Sequence, residues 1–198
     1  ATHTSVNKNI NSKLQLASSS PRRKKILSSL GIDFDVFEIK IDESQLIGEC
    51  PSDMVLRLAA TKAEAHKYGD FVLGADTIVV HESRIFGKPN NAKDAIDMLL
   101  SLSGKEHIVM TGVALKAPNG TKSLLSTTKV RFRKINKKDA LNYWKSGEPV
   151  DKAGSYGIQG IGGMFVKSIS GNYSGVVGLP VFEAVSLLTS SGFNVLNQ

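Results

Sequence analysis

The chain has 198 residues, of which 41% are hydrophobic and 22% are charged. A chain of this length buries roughly 70% of its unfolded surface and can fold around one core without disulfides. The composition argues against a disordered protein, and no apolar run approaches the roughly 20 residues of a membrane-spanning helix. Its 25 basic and 18 acidic residues give a net charge of +7, which favours an anionic partner such as a nucleotide or a nucleic acid.

The amino-terminal residues and the cysteine content indicate in which compartment the protein functions. Residues 1–12 are polar and lack the apolar stretch of a secretory signal, so we predict a flexible N-terminus ahead of a single domain over residues 13–198. Cys50 is the single cysteine, which rules out an internal disulfide and predicts a reducing compartment such as the cytoplasm. The four histidines do not have zinc-type spacing.

The first part of the chain predicts strands alternating with helices. Residues 13–17 form a short strand, and a helix follows from Pro21 to Gly31, with proline at its first position and glycine at its stop. Residues 34–39 alternate as a second strand. Residues 51 to about 68 place apolar side chains on one face of a second helix.

One carboxylate interrupts an otherwise apolar strand. Residues 71–80 predict this strand, and a hairpin through Glu82 and Ser83 leads on to Gly87. Asp76 lies in the middle of it. A carboxylate buried without a partner costs several kcal/mol, so Asp76 must meet a cation, a metal ion or water. We therefore expect Asp76 to be the most informative single residue of the sequence.

The rest of the chain predicts three more helices and two long strands. Residues 108–115 and 123–132 are the strands, and the pair Asn119-Gly120 between them is typical of a hairpin turn. Residues 151–178 hold eight of the eighteen glycines, and the apolar residues among them predict an ordered loop. The order of elements predicts a mixed α/β fold. The three helices are expected after Asn91, Asn136 and Pro180.

The serine-rich turn ahead of the first helix is a candidate phosphate site. Residues 18–23 lie where a strand leads into a helix, whose free N–H groups and dipole favour phosphate. Arg22 and Arg23 can clamp phosphate oxygens in a bidentate manner. A capping serine beside two exposed arginines explains the same pattern, and the turn alone leaves both interpretations open.

Four other charged residues interrupt apolar patterns or occupy turns. Each one by itself has an ordinary structural explanation: a loop carboxylate can simply be solvated, and a lysine can extend along an apolar face to reach water. Together with the two arginines they supply what Mg²⁺-assisted attack on a polyphosphate requires. Carboxylates hold the metal ion and orient water, and cations neutralise the triphosphate. These residues are Glu43, Lys62, Asp76 and Lys88.

Other nucleotide-binding and hydrolase motifs fail. Gly87-Lys88 is followed by proline and is therefore no P-loop, and residues 157–163 do not form a dinucleotide-binding fingerprint. The serines lack a nucleophile elbow. The basic run at residues 131–134 is interpreted as a solvated face, and because aromatic residues are only 7% and show no ribonucleoprotein motif, nucleic-acid binding is not expected.

Four separated motifs occur in a fixed order along the chain: LASSSPRR at residues 16–23, GADT at 74–77, GKP at 87–89 and DKAGSYGIQG at 151–160. In this combination they closely resemble the Maf family of nucleoside triphosphate pyrophosphatases, and the likeness extends from about Leu14 to the final helix. Ser19 stands where the family often has glycine.

The resemblance implies a Maf/inosine-triphosphatase-like α/β fold, with a mixed sheet and two lobes around a deep cleft. It implies hydrolysis of a nucleoside triphosphate to the monophosphate and pyrophosphate, with Mg²⁺ or another divalent cation such as Mn²⁺. The motifs look like the branch that acts on dTTP and UTP. A homodimer is common among similar proteins, and no membrane or nucleic-acid partner is implied.

The resemblance also implies roles for particular residues. It makes Asp76 the proton acceptor and matches Glu43 and Lys88 to further site positions. From their chemistry we predict Asp76, Glu43 and Lys88 as catalytic residues, with Asp76 and Glu43 as ligands of the metal ion. An amide can pair with a pyrimidine edge because it offers both a donor and an acceptor, which suits Gln159. The positions associated with substrate choice are Arg22, Thr77 and Gln159, and the other substrate-binding positions are Ser18, Arg23 and Lys62.

One alternative is a nucleotide-binding regulator without catalysis, since the family is named for an effect on cell septation. The carboxylates Glu43 and Asp76, together with Lys88, argue against it. A protein that only binds a nucleotide has little need for metal-ready carboxylates beside the phosphates.

Overall fold

The computed structural model describes residues 13–67 and 69–196. Within these ranges seven strands form one mixed sheet, flanked by six α-helices. The strands are β1 (Leu14–Ala17), β2 (Phe34–Phe37), β3 (Phe71–His81), β4 (Arg84–Phe86), β5 (Glu106–Ala117), β6 (Gly120–Phe132) and β7 (Val166–Ser170). The helices are α1 (Pro21–Ser29), α2 (Pro51–Ala65), α3 (Ala92–Leu102), α4 (Lys137–Lys145), α5 (Tyr173–Val177) and α6 (Val181–Ser190).

The order of strands across the sheet is β2-β1-β3-β5-β6-β7, and β4 pairs with β3. β1 lies parallel to both β2 and β3, whereas β5, β6 and β7 continue the sheet in antiparallel pairs. The parallel part is built by helical crossovers, and the antiparallel part by hairpins. The predicted mixed α/β fold is confirmed.

Side-chain caps start the helices where the sequence indicates. Ser20, Asn91 and Asn136 each accept a hydrogen bond from a backbone N–H in the first turn of α1, α3 and α4. Such a cap satisfies one of the N–H groups that a helix leaves unpaired at its start. Local sequence therefore sets these three boundaries.

Two glycines let α2 lie directly on the sheet. A Cβ at Gly74 of β3 would lie 2.5 Å from the carbonyl oxygen of Ala59, and a Cβ at Gly112 of β5 would overlap with the carbonyl of Val55. Only glycine allows the two backbones to approach this closely. The helix is thereby held against the middle of β3.

Two hydrophobic cores meet the same face of β3 at different ends of the strand. The first core packs Leu73 and Ala75 of β3 against Leu27 of α1 and the buried face of α6. The second packs Val79 of β3 against α3, α4 and the segment around Tyr156. The chain thus forms two packed halves along one continuous sheet.

The segment between α4 and α6 contains structure that the sequence did not predict. Residues 151–178 form an ordered segment, as expected, but it contains β7 and α5 in addition to short 3-10 turns. Helix α2 ends at Ala65, a little before the predicted end, and Tyr68 lies outside the described residues. The N-terminus predicted for residues 1–12 lies outside them too. In the described ranges no helix combines the length and apolarity needed to cross a membrane.

Candidate active site

A gap in the strand pairing of β3 opens a cleft between the two halves. On one edge, β1 pairs with residues 71–73 of β3 and β4 pairs with residues 79–81. Residues 74–78 lie between these two partners, and on that edge no strand of the described chain pairs with them. A cleft of about 420 Å³ occupies the gap. Because β1 ends here and α1 begins here, the cleft lies at a switch in strand connection, where ligands bind in α/β sheets.

All nine predicted site residues line this cleft, although they come from six separate parts of the chain. They are Ser18, Arg22, Arg23, Glu43, Lys62, Asp76, Thr77, Lys88 and Gln159. The sequence resemblance placed them in one site, and the fold brings them to one cavity.

A lysine joins the two predicted catalytic carboxylates. Lys62 Nζ lies 3.0 Å from Asp76 Oδ1 and 3.0 Å from Glu43 Oε1, and it donates to the carbonyl oxygen of Ala75 at 3.1 Å. Lys62 and Asp76 are both buried, whereas Glu43 is half exposed at the cleft. A buried charge needs a close partner of opposite sign. Lys62 therefore does not reach past its apolar face to bulk water, but holds the carboxylates together.

The second oxygen of Asp76 has no protein partner. Oδ2 is buried and accepts no hydrogen bond from any described residue. Buried polar atoms are nearly always hydrogen-bonded, so an unpaired carboxylate oxygen in a cleft indicates a missing ligand. A divalent cation, or the water that it binds, fits that requirement.

The charge of Glu43 is stabilised by its neighbours. Burial by itself raises the pKa of Glu43, but nearby cations outweigh that effect and hold it below the ordinary value. The cations are Lys62, Lys88 and Arg23. Glu43 is consequently ionised at neutral pH and available as a ligand for a metal ion.

Arg23, which is half-buried at the cleft, is held in one orientation. Arg23 Nε donates to the carbonyl oxygen of Gly178 at 2.7 Å, and Nη2 donates to Thr77 Oγ1 at 3.0 Å. Thr77 in turn contacts Thr111 Oγ1 at 2.9 Å. Burial lowers the pKa of Arg23, although an arginine retains its charge over the physiological range. Thr77 thus acts on the cleft partly through Arg23.

The start of α1 presents serine hydroxyls, held in place by backbone N–H groups, and the positive end of the helix dipole to an anion. The Arg23 N–H donates to Ser20 Oγ at 3.3 Å, and the Ser20 N–H donates to Ser18 Oγ at 3.1 Å. Ser18 is buried at the cleft wall. The helix dipole adds partial positive charge at this end. This end of the cleft therefore suits phosphate oxygens.

Sequence reasoning assigned no role to Asp151 and Lys152, which also line the cleft. Asp151 binds Arg22 through Oδ2 at 3.0 Å and Lys152 Nζ through Oδ1 at 3.0 Å. Burial alone raises the pKa of Asp151, but both cations hold it below its ordinary value. The sequence did offer a signal: Asp151 and Lys152 are adjacent opposite charges at the start of the glycine-rich segment. Charges next to an ordered segment need partners, so a contact of these residues with the cleft could have been predicted.

Gln159 and Lys88 belong to two different loops that line the cleft. Gln159 is exposed at a turn closed by a hydrogen bond from Gly160 N–H to Gly157 O of 3.2 Å. Lys88 is exposed just after β4. Both side chains are accessible to a ligand.

The cleft offers few side chains that could bind a metal ion. No cluster of three or more His, Cys, Asp or Glu side chains is found among residues 13–67 and 69–196. Mg²⁺ is commonly bound by one or two carboxylates, with substrate phosphates and water completing the shell. The unpaired Oδ2 of Asp76 and the ionised Glu43 beside it fit such a shared site.

Comparison with known proteins agrees with this geometry. A family model described as Maf-like protein matches residues 13–191. The chain belongs to the Maf family. The resemblance inferred from the four motifs is thus confirmed, and the cleft is the candidate active site of a Maf protein.

Two curated relatives of this Maf protein carry the same name. A protein of Colwellia psychrerythraea named dTTP/UTP pyrophosphatase is 49% identical over 189 residues, which cover 91% of this chain and 89% of the relative. A Vibrio parahaemolyticus protein of the same name is 47% identical over 179 residues, covering 88% of this chain and 95% of the relative.

Among solved structures, the Staphylococcus aureus Ham1 protein aligns with a TM-score of 0.44 and 13% identity, covering 61% of this chain and 71% of that one. This likeness is too low to carry an argument about function.

Proposed function

We propose that this Maf protein hydrolyses dTTP, UTP and related or modified pyrimidine nucleotides to the monophosphate and pyrophosphate. One observation carries the proposal: two carboxylates joined by Lys62 and a set of cations line the same cleft as the amino-terminal end of α1. The names of relatives that are about half identical over most of the chain support the same reaction.

The triphosphate is the part of the substrate that the cleft suits best. Ser18 and the start of α1 offer donors, and Arg22 and Lys88 add positive charge at the cleft. Arg23 is held in place by Gly178 and Thr77 before any ligand arrives. Fixed positive groups stabilise the charge that develops on departing pyrophosphate without having to reorganise.

The reaction breaks one phosphoanhydride bond. A water oxygen attacks the α-phosphorus, the bond between that phosphorus and the α,β-bridging oxygen breaks, and pyrophosphate leaves with the electron pair. Asp76 orients the water and accepts its proton, and Lys62 holds Asp76 in place through Oδ1. When bound, Mg²⁺ or Mn²⁺ lowers the pKa of coordinated water and neutralises phosphate charge. Asp76 and Glu43 are the residues that would hold it.

Base recognition is assigned to Gln159. Its amide can donate one hydrogen bond to a pyrimidine carbonyl and accept another from a ring N–H. The side chain is exposed at the cleft. Arg22 of α1 and Thr77 of β3, which the motifs associate with substrate choice, line the same cleft.

The decisive experiment is a hydrolysis screen with purified protein. Canonical and modified triphosphates are incubated with Mg²⁺, Mn²⁺ or EDTA, and monophosphate and pyrophosphate are both quantified. We expect equal amounts of the two products from dTTP and UTP, and no turnover in EDTA. Tight nucleotide binding without pyrophosphate release would instead favour the regulator of cell division.

The remaining expectations belong to the same proposal. Residues 13–198 act as one catalytic domain, since both packed halves contribute to the cleft. A homodimer is tested by light scattering. The reducing, cytoplasmic setting predicted from the single cysteine, Cys50, is tested by cell fractionation.

A further inference from the structure

A hydrogen-bond network lies behind the turn that carries Gln159. The turn runs from Gly157 to Gly160, and Ile158 and Gln159 form its tip. Ile158 packs against the second core, whereas Gln159 is exposed and its backbone is fixed by the residues on either side of it. The position of the Gln159 amide therefore depends on what fixes residues 157 and 160–162.

Tyr143 and Glu148 bind both ends of this turn. At the first end, Gly157 N–H donates to Tyr143 Oη at 3.0 Å. At the second end, Ile161 N–H and Gly162 N–H donate to the carboxylate of Glu148 at 2.8 and 2.9 Å. The Tyr143 hydroxyl itself donates to Glu148 Oε2, which joins the two ends into one network.

The backbone of the turn approaches these side chains so closely that only glycine fits. A Cβ at Gly162 would lie 2.5 Å from Tyr143 Oη, and a Cβ at Gly160 would overlap with Glu148 Oε1. Glycine at these positions is therefore required by the contact with Glu148 and Tyr143 and does not indicate a flexible linker.

The network carries a full negative charge. Burial raises the pKa of Glu148, but the Tyr143 hydroxyl and the two backbone N–H groups outweigh burial and hold it below its ordinary value. Burial raises the pKa of Tyr143, so its hydroxyl stays protonated and donates to the carboxylate. Hydrogen bonds to a charged acceptor are stronger than neutral ones. The turn is consequently held by strong bonds.

Residues 148–152 connect the network to the end of the cleft near Arg22. Lys152 Nζ donates to the carbonyl oxygen of Glu148 at 2.8 Å and to Asp151 Oδ1 at 3.0 Å. Glu148 itself does not line the cleft, nor does Tyr143. Any effect of these two residues on a nucleotide is therefore expected to act through the turn.

We propose that Glu148, together with Tyr143, is a positioning residue for base recognition: it fixes the turn so that the Gln159 amide meets the pyrimidine edge. This inference rests on the proposed function, because it assumes that Gln159 reads the base. It assigns a specificity role to two residues outside the cleft.

The test compares a nucleotide with its base-free counterpart. Glu148→Gln removes the charge and places an amide N–H group against a donor, and Tyr143→Phe removes only the hydroxyl. A hydrogen bond contributes about 0.5–1.5 kcal/mol, so we expect Kd and KM for dTTP to rise up to about tenfold with little change in kcat. Values for deoxyribose triphosphate, which has no base, should stay within about twofold in the same variants.

A double-mutant cycle with Gln159→Ala adds a second readout. If Glu148 acts through Gln159, Glu148→Gln should weaken dTTP binding much less when Gln159 is already absent. Glu106→Gln, at an exposed glutamate outside the cleft, is the matched control and should leave every value unchanged. Thermal unfolding confirms that each variant is folded, and Tyr143→Phe carries the test if Glu148→Gln does not fold.

The outcomes separate the two proposals. Equal weakening for dTTP and deoxyribose triphosphate, or effects that simply add to Gln159→Ala, would overturn the positioning role. Absence of pyrophosphate release by the unmodified protein would overturn the proposed function, while the comparison of Kd values still decides the positioning role. If the unmodified protein bound neither ligand, both proposals would be wrong.

Discussion

Arg22 and Asp151 are 129 positions apart in the chain and form an ion pair at the cleft, with Arg22 Nη1 3.0 Å from Asp151 Oδ2. Arg22 belongs to α1, which packs in the first core, and Asp151 precedes the segment that packs in the second. The pair therefore connects the two halves of the molecule at the cleft.

Asp151→Asn should lower KM for dTTP. The asparagine oxygen can still accept from Arg22, and the Asp151 carbonyl oxygen, 3.4 Å from Arg22 Nη2, is unchanged, whereas Lys152 loses its carboxylate partner at 3.0 Å. The variant therefore removes one negative charge beside the substrate and leaves the Lys152 charge unpaired with it. We expect at most about a fivefold change, because exposed pairs contribute about 0–1 kcal/mol. Steady-state kinetics at low salt and at 1 M salt measure it. The Debye length falls to about 3 Å at 1 M salt, so the difference should largely vanish there. A higher KM at both salt concentrations would contradict this account.

Asp76→Asn should reduce kcat by about 10²- to 10⁴-fold, the range for a positioned group that handles a proton. The fold should survive, because Lys62 keeps Glu43 as a partner at 3.0 Å. Pyrophosphate release and circular dichroism measure the two effects. Asp35→Asn is the control, since Asp35 forms an exposed ion pair with Lys13 at 3.1 Å away from the cleft. Near-normal turnover in Asp76→Asn would remove Asp76 from the chemistry.

Lys62→Met should move the acid limb of the pH–rate profile to higher pH. Burial raises the pKa of Glu43 and Lys62 counteracts it, so without the lysine the carboxyl protonates at a higher pH. Profiles of kcat/KM from pH 4 to 8 (about the range over which carboxyl and imidazole groups titrate) test this, with Lys138→Met on the exposed face of α4 as the control. An unmoved acid limb would mean that Glu43 does not take part in the reaction.

The stability of the protein should fall in acid through the same group. The pKa of Glu43 is lower in the folded chain than its ordinary value of 4.5, so its ionised form favours folding above that pH. That contribution is lost as the pH falls through the folded pKa. Urea unfolding between pH 3 and 6 (about the titration range of carboxyl groups) should show a weaker pH dependence for Glu43→Gln than for the unmodified chain. The same slope in both would be the contrary result.

Gly74→Ala should damage both stability and activity. The new methyl group would meet Ala59 O at 2.5 Å and Ala63 N at 2.8 Å, so α2 must shift away from β3 and carry Lys62 away from Asp76. Overpacking of this kind costs about 1–3 kcal/mol in the free energy of unfolding. Gly87→Ala, where nothing lies within 4 Å of a Cβ, is the stability control. Equal urea midpoints for the two variants would show that α2 accommodates the methyl group.

Local sequence predicted most elements because their signals are local. The caps at Ser20, Asn91 and Asn136 act within one helical turn, and the Asn119-Gly120 hairpin acts within four residues. Asp76 was identified because a charge in an apolar strand is costly wherever that strand goes. The motifs identified the family because each is a short run of neighbouring residues, which can be found without knowing the fold.

Tertiary structure decided which of these residues meet. The gap at residues 74–78 of β3 depends on how far β1 and β4 extend along one edge, and the contact between Lys62 and Asp76 depends on how closely α2 approaches two glycines. Hydrophobic periodicity carries no information about either distance. The partner of Arg22, Asp151, lies 129 positions away in the chain. Glu148, which binds the Gln159 turn, lies in a short 3-10 turn, where the sequence shows no regular hydrophobic pattern. The sequence by itself therefore determined the family, the secondary-structure elements and the reactive side chains. Packing determined how those side chains are arranged in space, because the register of strands and the distance between helix and sheet set the long-range contacts.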